Sequence, residues 1–322
     1  MKSLATLLLL ALLAAAAFAW LFYLPFGPSS ETFVDIPTGT SGTAIGQQLA
    51  KTGIIRSPYA FDLMRAQKGG TLKAGEYRFD HPAPLAEVYA RLIKGDVYTR
   101  TVAIPEGFNL FDIAAAVESA GLGTKASFLA AARQHTELIA DLSPHATSLE
   151  GYLFPDTYHF SRHATPQQML AIMVRRFRQV TTQLGLPKAS NTIVILASLI
   201  EKEVSVDSER PLVASVFENR LAKSMPLQTD PTVIYAALLE NRYRGTIYAS
   251  DLKSDSPYNT YRHPGLPPGP ICSPGVAALR AAISPAKSDF LYFVSDANGH
   301  SRFAATLKDH ATNVTQYRAA KH

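Results

Sequence analysis

From Ser3 to Ser30 the chain carries no charged residue, and the apolar stretch Leu4–Phe26 within it is long enough to span a bilayer. Trp20, Phe22 and Tyr23 stand toward its far end, where aromatic rings favour the membrane interface. Lys2 and the terminal amine precede the run, which places the N-terminus in the cytoplasm and the remaining chain outside. A cleaved signal peptide is the rival, because Ala17-Phe18-Ala19 resembles a small-x-small cleavage site. The run exceeds a usual signal core, which favours a retained anchor over residues 1–30. Either way the bulk of the chain is exported.

The chain beyond Ser30 is long enough for two domains, and the 47% hydrophobic content supports folded cores in a chain of 322 residues. A net charge of +5 without any Lys/Arg run or aromatic-basic interleaving argues against nucleic acid. One cysteine, Cys272, excludes an internal disulfide framework and a cysteine-based zinc site; among prolines it reads as a small buried residue. The nine histidines show no HExxH or similar spacing, so no metal or cofactor is expected.

An internal repeat organises the first half. Ile36-Pro37-Thr38-Gly39 matches Ile104-Pro105-Glu106-Gly107, and the register holds through Ile45/Ile113, Leu49/Val117 and Gly53/Gly121. Each copy reads as a strand stopped by proline, a glycine turn and an amphipathic helix closed by glycine. Between them, 57–66 and 85–94 read as helices, and 71–79 and 96–104 as strands. The expected architecture is α+β. An anchor (1–30) is followed by a small α+β module (31–98), a second repeat unit with connector (99–150), and a mixed α+β domain (151–320). In that last domain a helix over 166–184 carries Arg175, Arg176 and Arg178, read as a solvated face. A further helix begins near Ser208 as N-cap, with Pro211 in its first turn. Leu212, Val213, Val216, Phe217 and Arg220 share one side of it, while Glu218 points to solvent.

The segment Asn191–Glu203, NTIVILASLIEKE, reads as an apolar helix ending in carboxylates, with Asn191 placed to cap it. At 100° per residue Glu203 falls in the sector of Leu196, Leu199 and Ile200, and Glu201 points away from it. A carboxylate among apolar neighbours, at the negative end of a helix, has its pKa pushed up, as a general acid requires. The structural alternative is an ion pair with Lys202 or an arginine at the helix end. Four polar-rich segments come after it: LQTDPT (227–232), PYNTY (257–261), LPPGPI (266–271) and FLYFVSD (290–296). Amide, hydroxyl and aromatic side chains of this kind suit sugar recognition. Read singly, Asp230 is as well placed to cap a helix near Pro231, and Tyr261 to sit in a core.

Taken in order, ASLIEKE, ASVFENRL, LQTDPTVIY, PYNTY, GLPPGPI and the Leu-Tyr-Phe-Val strand resemble the YceG-like family of endolytic murein transglycosylases. The likeness is densest over 197–317. The resemblance implies a single-pass bacterial inner-membrane protein with a LysM-like module and a periplasmic catalytic domain built around the acid-bearing helix. Its partners would be peptidoglycan glycan strands and, near sites of elongation, peptidoglycan synthases. In the family's E-K-E pattern the second glutamate is catalytic, which is Glu203 here. The groove positions fall on Gln228, Asp230, Asn259 and Tyr261. Val204 stands where a threonine is common, and His300 is displaced by one from the family's Gly-Gly-His-x-Phe turn.

With one clear acid, the reaction implied is cleavage between N-acetylmuramic acid and N-acetylglucosamine with capture by the sugar's own C6 hydroxyl, leaving a 1,6-anhydro end. Two alternatives stay open. One is a lysozyme-like hydrolase, for which Asp230 is the candidate second carboxylate. The other is a membrane-anchored wall-binding scaffold without turnover.

Overall fold

The computed structural model describes residues 2–186, 191–204, 206–296 and 299–320. The chain divides into two compact units, Met1–Arg100 with His159–Arg162, and Thr101–Tyr158 with His163–His322.

The first unit contains α1 (Lys2–Phe22), β1 (Thr32–Ile36), α2 (Gly42–Lys51), α3 (Pro58–Lys68), β2 (Gly75–Phe79) and α4 (Leu85–Lys94). Strands β1 and β2 pair antiparallel with Val34 opposite Tyr77. Their alternation puts Val34, Ile36, Tyr77 and Phe79 into a core completed by Leu49, Phe61 and Leu92 of the three short helices. Ser41 caps α2 through the Ala44 N–H and Ser57 caps α3 through the Ala60 N–H. On the other face of β2, buried Glu76 pairs with Arg162 at 2.7 Å, and Arg162 also lies 3.8 Å over the Phe33 ring. That contact holds the 159–162 segment in this unit. The strands expected over 71–79 and 96–104 are both shorter than that, beginning at Gly75 and Arg100; the first residues of 71–79 are not strand, because the Lys73 N–H donates to Leu92 O at the end of α4.

The second unit contains β3 (Arg100–Ile104) from Thr101 on, α5 (Leu110–Ser119), α6 (Lys125–Gln134), β4 (Asp156–Phe160) as far as Tyr158, α7 (Pro166–Gln183) and α8 (Asn191–Glu203). It continues with α9 (Arg210–Ala222), α10 (Asp230–Leu239), α11 (Val276–Ile283), β5 (Tyr292–Ser295), β6 (Ser301–Ala304) and α12 (Leu307–Ala320). The second repeat copy, β3 to α5, therefore belongs to the larger unit. Strand β3 pairs with β4, and β5 with β6 as an antiparallel hairpin. Helix α8 packs against α9, α10 and α11, with Val194 to Ile200 buried. Each fully buried Leu or Ile on it contributes roughly 2 kcal/mol.

Three local expectations are corrected by long-range contacts. The Asn191 side chain accepts a hydrogen bond from Tyr152 Oη at 2.8 Å and stands at the first residue of α8, so it serves packing between segments. Ser208 does not cap α9: the 3-10 turn Asp207–Glu209 precedes it and Glu209 occupies the cap position. Glu209 is held there by the hairpin, through the Ser301 N–H at 2.9 Å and His300 Nδ1 at 2.8 Å. Of the three arginines on α7, Arg175 is exposed, and the other two are partly buried. Arg176 pairs with Asp156, and Arg178 with Asp141 and the Leu138 carbonyl.

Candidate active site

The three residues that end α8 go to three places. Glu201 turns to a buried ion pair with Arg210 of α9 at 2.9 Å, and its second oxygen accepts the Gly275 N–H at 2.9 Å. Lys202 reaches the Gly107 carbonyl at 3.3 Å, in the turn after the second repeat's proline. Glu203 is half-buried and makes no hydrogen bond or ion pair with the described residues. The structural alternative raised for a carboxylate at this helix end is thus realised, but by Glu201.

Burial pushes the Glu203 carboxyl up to about 7, the negative charge of Asp230 pushes in the same direction, and Arg220 opposes both. A carboxyl in that range holds a proton for a large part of the time at neutral pH and can both give and receive one.

The opposing surface is built by two segments sewn together through threonine. The Gln228 N–H donates to Thr260 O at 3.2 Å, the Thr229 N–H to Thr260 Oγ1 at 3.0 Å, and Thr232 Oγ1 meets Thr260 Oγ1 at 2.9 Å. This brings Gln228, Asp230 and Tyr261 side by side, with Tyr261 Oη donating to Asp230 Oδ1 at 2.6 Å. Asp230 is the first residue of α10, and its oxygen is engaged by Tyr261. Burial, then the bond to Asp230, pushes the Tyr261 phenol up, so it stays a donor.

Asn259 is placed differently from the groove lining expected of it. It is fully buried; its amide nitrogen donates to the Leu252 and Ser254 carbonyls and its oxygen accepts the Tyr261 N–H. All of that shapes the loop that aims Tyr261. Gln228 is exposed and has φ 53, a left-handed conformation that costs a non-glycine residue of order 1 kcal/mol. Such strain is retained where the side chain has work to do. Gln228→Gly is therefore expected to keep or slightly raise the melting temperature while lowering turnover on glycan. A fall in both would mark a purely structural turn.

Arg220 is the residue that sequence reasoning left among apolar neighbours. Its Nε donates to Leu291 O at 2.7 Å and its Nη1 to Leu227 O at 2.9 Å, which ties the Gln228 turn to the start of the β5 strand. No carboxylate lies within ion-pair distance of it among the described residues, and its charge acts on Glu203. An arginine on the buried side of a helix was the signal available for it. A second raised carboxyl, Glu150, is also pushed up to about 7 by burial. It accepts from the Leu110 N–H at 2.9 Å and Tyr235 Oη at 2.8 Å, so its role is to seal the start of α5.

A carboxylic acid with a raised pKa, near amide, carboxylate and phenol groups, is the set of side chains that a glycan-cleaving site of the single-acid kind requires. The chain belongs to the YceG-like family, which it matches over residues 34–316. A Bacillus subtilis endolytic murein transglycosylase is 34% identical over 321 residues, covering 92% of this chain and 88% of the relative. One from Streptococcus pneumoniae serotype 2 is 32% identical over 352 residues, covering 97% of this chain and 64% of its own length. Among solved structures, a YceG-like protein from Listeria monocytogenes superposes with a TM-score of 0.58 at 31% identity, covering 88% of this chain and 99% of that one.

Proposed function

We propose that this chain is an endolytic lytic transglycosylase of the bacterial inner membrane. It would cut nascent peptidoglycan between N-acetylmuramic acid and N-acetylglucosamine and so end glycan strand elongation. The observation that carries this is Glu203, a carboxyl held near pKa 7 on an apolar helix and free of protein partners among the described residues. Protonated Glu203 gives its proton to the glycosidic oxygen and the bond to the muramic acid C1 breaks. The resulting carboxylate then takes the proton of the C6 hydroxyl as that oxygen closes on C1. No water enters, and the product ends in 1,6-anhydro-N-acetylmuramic acid. Asp230 raises the proton affinity of Glu203, Arg220 steadies the carboxylate between the two halves, and Gln228 and Tyr261 hold the sugars.

Helix α1 supports the anchor: Leu4–Phe22 is long and apolar enough to cross a membrane, and its side chains are uncovered along most of its length. The charges flanking it favour an N-terminus in the cytoplasm and the catalytic unit in the periplasm. The order β1-α2-α3-β2 of the first unit supports a LysM-like module, which makes glycan a second contact there. Synthases are the partners expected where strands are being extended.

Digestion of uncrosslinked glycan strands with the full-length protein in detergent, followed by mass spectrometry of the fragments, tests the proposal. Anhydro ends, one water lighter than reducing ends, are expected. Reducing ends would transfer Asp230 to the role of water-activating base in a hydrolase. Bound strands without new ends would leave a wall-binding scaffold.

A further inference from the structure

The end of α1 is built into the first unit without a flexible linker. Phe22 is buried in that unit's core, and Phe26 and Ala83 exchange backbone hydrogen bonds of 3.0 Å. Arg56 closes the helix. Its Nη1 donates to Trp20 O at 3.0 Å and Leu24 O at 2.7 Å, its Nη2 to Pro25 O at 3.1 Å, and its guanidinium lies 4.8 Å from the Trp20 and Phe26 rings. A cation here satisfies carbonyls that the helix end leaves open. The span Leu4–Phe22 is 19 residues, about 28 Å at 1.5 Å per residue, close to the thickness of a hydrocarbon core. Its Trp20 end and Arg56 therefore fall at the edge of the lipid.

Two residues after Arg56, α3 begins. Its inner side is Ala60, Phe61 and Met64, all buried. Its outer side carries Tyr59, Leu63 and Ala66, one helical stripe at i, i+4 and i+7, and all three are exposed. Tyr59, at 84%, is the most exposed large apolar side chain among the described residues, and Leu63 is 55% exposed. Asp62 borders this stripe, about 60° round the helix from Tyr59, and is paired there with Arg65 at 3.3 Å; Arg65 lies farther round and Lys68 is on the far side of the helix from Tyr59. Tyr59 cannot lie farther than about 11 Å from Arg56, Cα to Cα, because three extended residues reach no farther. An uncharged stripe headed by a tyrosine and tethered at the lipid edge has the make-up of an interfacial anchor.

We infer that α3 is a second membrane contact: its Tyr59-Leu63-Ala66 stripe lies in the headgroup zone of the leaflet from which α1 emerges. The occupant of this face is lipid, because the stripe begins three residues after Arg56, which grips the Trp20 end of α1. The inference rests on α1 being a retained anchor. Its consequence is that the first unit rests on the bilayer in one orientation instead of swinging on a stalk.

The test uses the full-length protein in nanodiscs of phosphatidylethanolamine and phosphatidylglycerol, with single cysteines carrying an environment-sensitive NBD label. Cys272 is fully buried, so wild-type protein labelled without denaturant serves as the blank. Labels at Tyr59→Cys and Leu63→Cys are expected to emit to the blue and to lose most of their emission to headgroup-proximal nitroxide lipids. A label at Lys68→Cys is expected to keep the emission of an aqueous probe. A label at Leu8→Cys in α1 separates the two readings. If it reports water, the anchor itself fails. If it reports lipid while both 59 and 63 report water, the anchor stands and the interfacial helix is overturned. Labels at 59, 63 and 68 that all report lipid would overturn the specific stripe.

Discussion

Glu203→Gln is expected to abolish cleavage of glycan strands, lowering kcat by about 10²–10⁴-fold, the range a general acid commonly supplies. Gln fills the same space beside Leu199 and Ile200 but has no proton to transfer. The pH dependence follows from the same group. Wild-type turnover should fall as pH rises through about 7, where Glu203 loses its proton. Stability moves with it, and the sign is definite. The folded pKa lies above the ordinary value of 4.5, so the favourable contribution of the protonated form is complete below about 4.5 and is lost as pH rises to about 7. The variant lacks that loss. It should therefore melt a few degrees above wild type at pH 8, with the advantage shrinking toward pH 5. Glu150 is shifted in the same direction, but it is present in both proteins and cancels from the difference. Calorimetry at the two pH values together with end-group analysis reads both effects. A variant that cuts at the wild-type rate would remove Glu203 from the chemistry, and one that melts lower at pH 8 would overturn its raised pKa.

Glu201→Gln is expected to damage the fold. The substitution leaves Arg210 buried with only Asp207, itself exposed, as its remaining carboxylate partner. Removing one member of a buried pair costs about 3 kcal/mol or more, a fall of roughly 10 °C in Tm for a unit of this size. Glu201 also holds the Gly275 N–H at the start of α11, which packs on α8, so the loss spreads to the support of the site. Yet the protein that remains folded keeps its acid. Its kcat per folded molecule should stay near wild type, measured below the melting transition. A stable Glu201→Gln protein would show that the pair with Arg210 contributes little. Glu218→Gln, on the exposed side of α9, should leave both stability and turnover unchanged.

The contrast between Glu201 and Glu203 shows how much of the site is legible in the chain itself. Helical periodicity is a local property, so the sector of Glu203 could be read from its spacing to Leu196, Leu199 and Ile200, all buried in the fold. The same periodicity said only that Glu201 leaves that sector. It could not say that α9 and the Gly275 turn bury the other side of the helix too. Asn259 and Tyr261 share one motif, and their residue types alike suit a sugar. Only the closure of the loop on Leu252 and Ser254 separates a buried loop-former from the side chain that meets Asp230. For Arg220 the buried side of the helix could be read but not the role, because its partners are carbonyls at 226, 227 and 291, which no side-chain pattern encodes. Helix α4 is the opposite case. The spacing of Leu85, Val88, Leu92 and Ile93 placed its ends at Leu85 and Lys94, as observed, and Gly95 closes it in the left-handed conformation.

Taken alone, the sequence determined what depends on neighbours in the chain. It set the membrane-length run, the proline-stopped strands of the repeat, the amphipathic helices and the sector of the acid. Tertiary structure decided what depends on residues far apart in the chain. It chose which carboxylate is neutralised by Arg210 and which is left to carry a proton, and which polar residues face outward from the threonine-sewn loops. The physical reason is that a pKa, like a hydrogen bond, responds to the whole surroundings of a group, and most of those surroundings arrive from other segments.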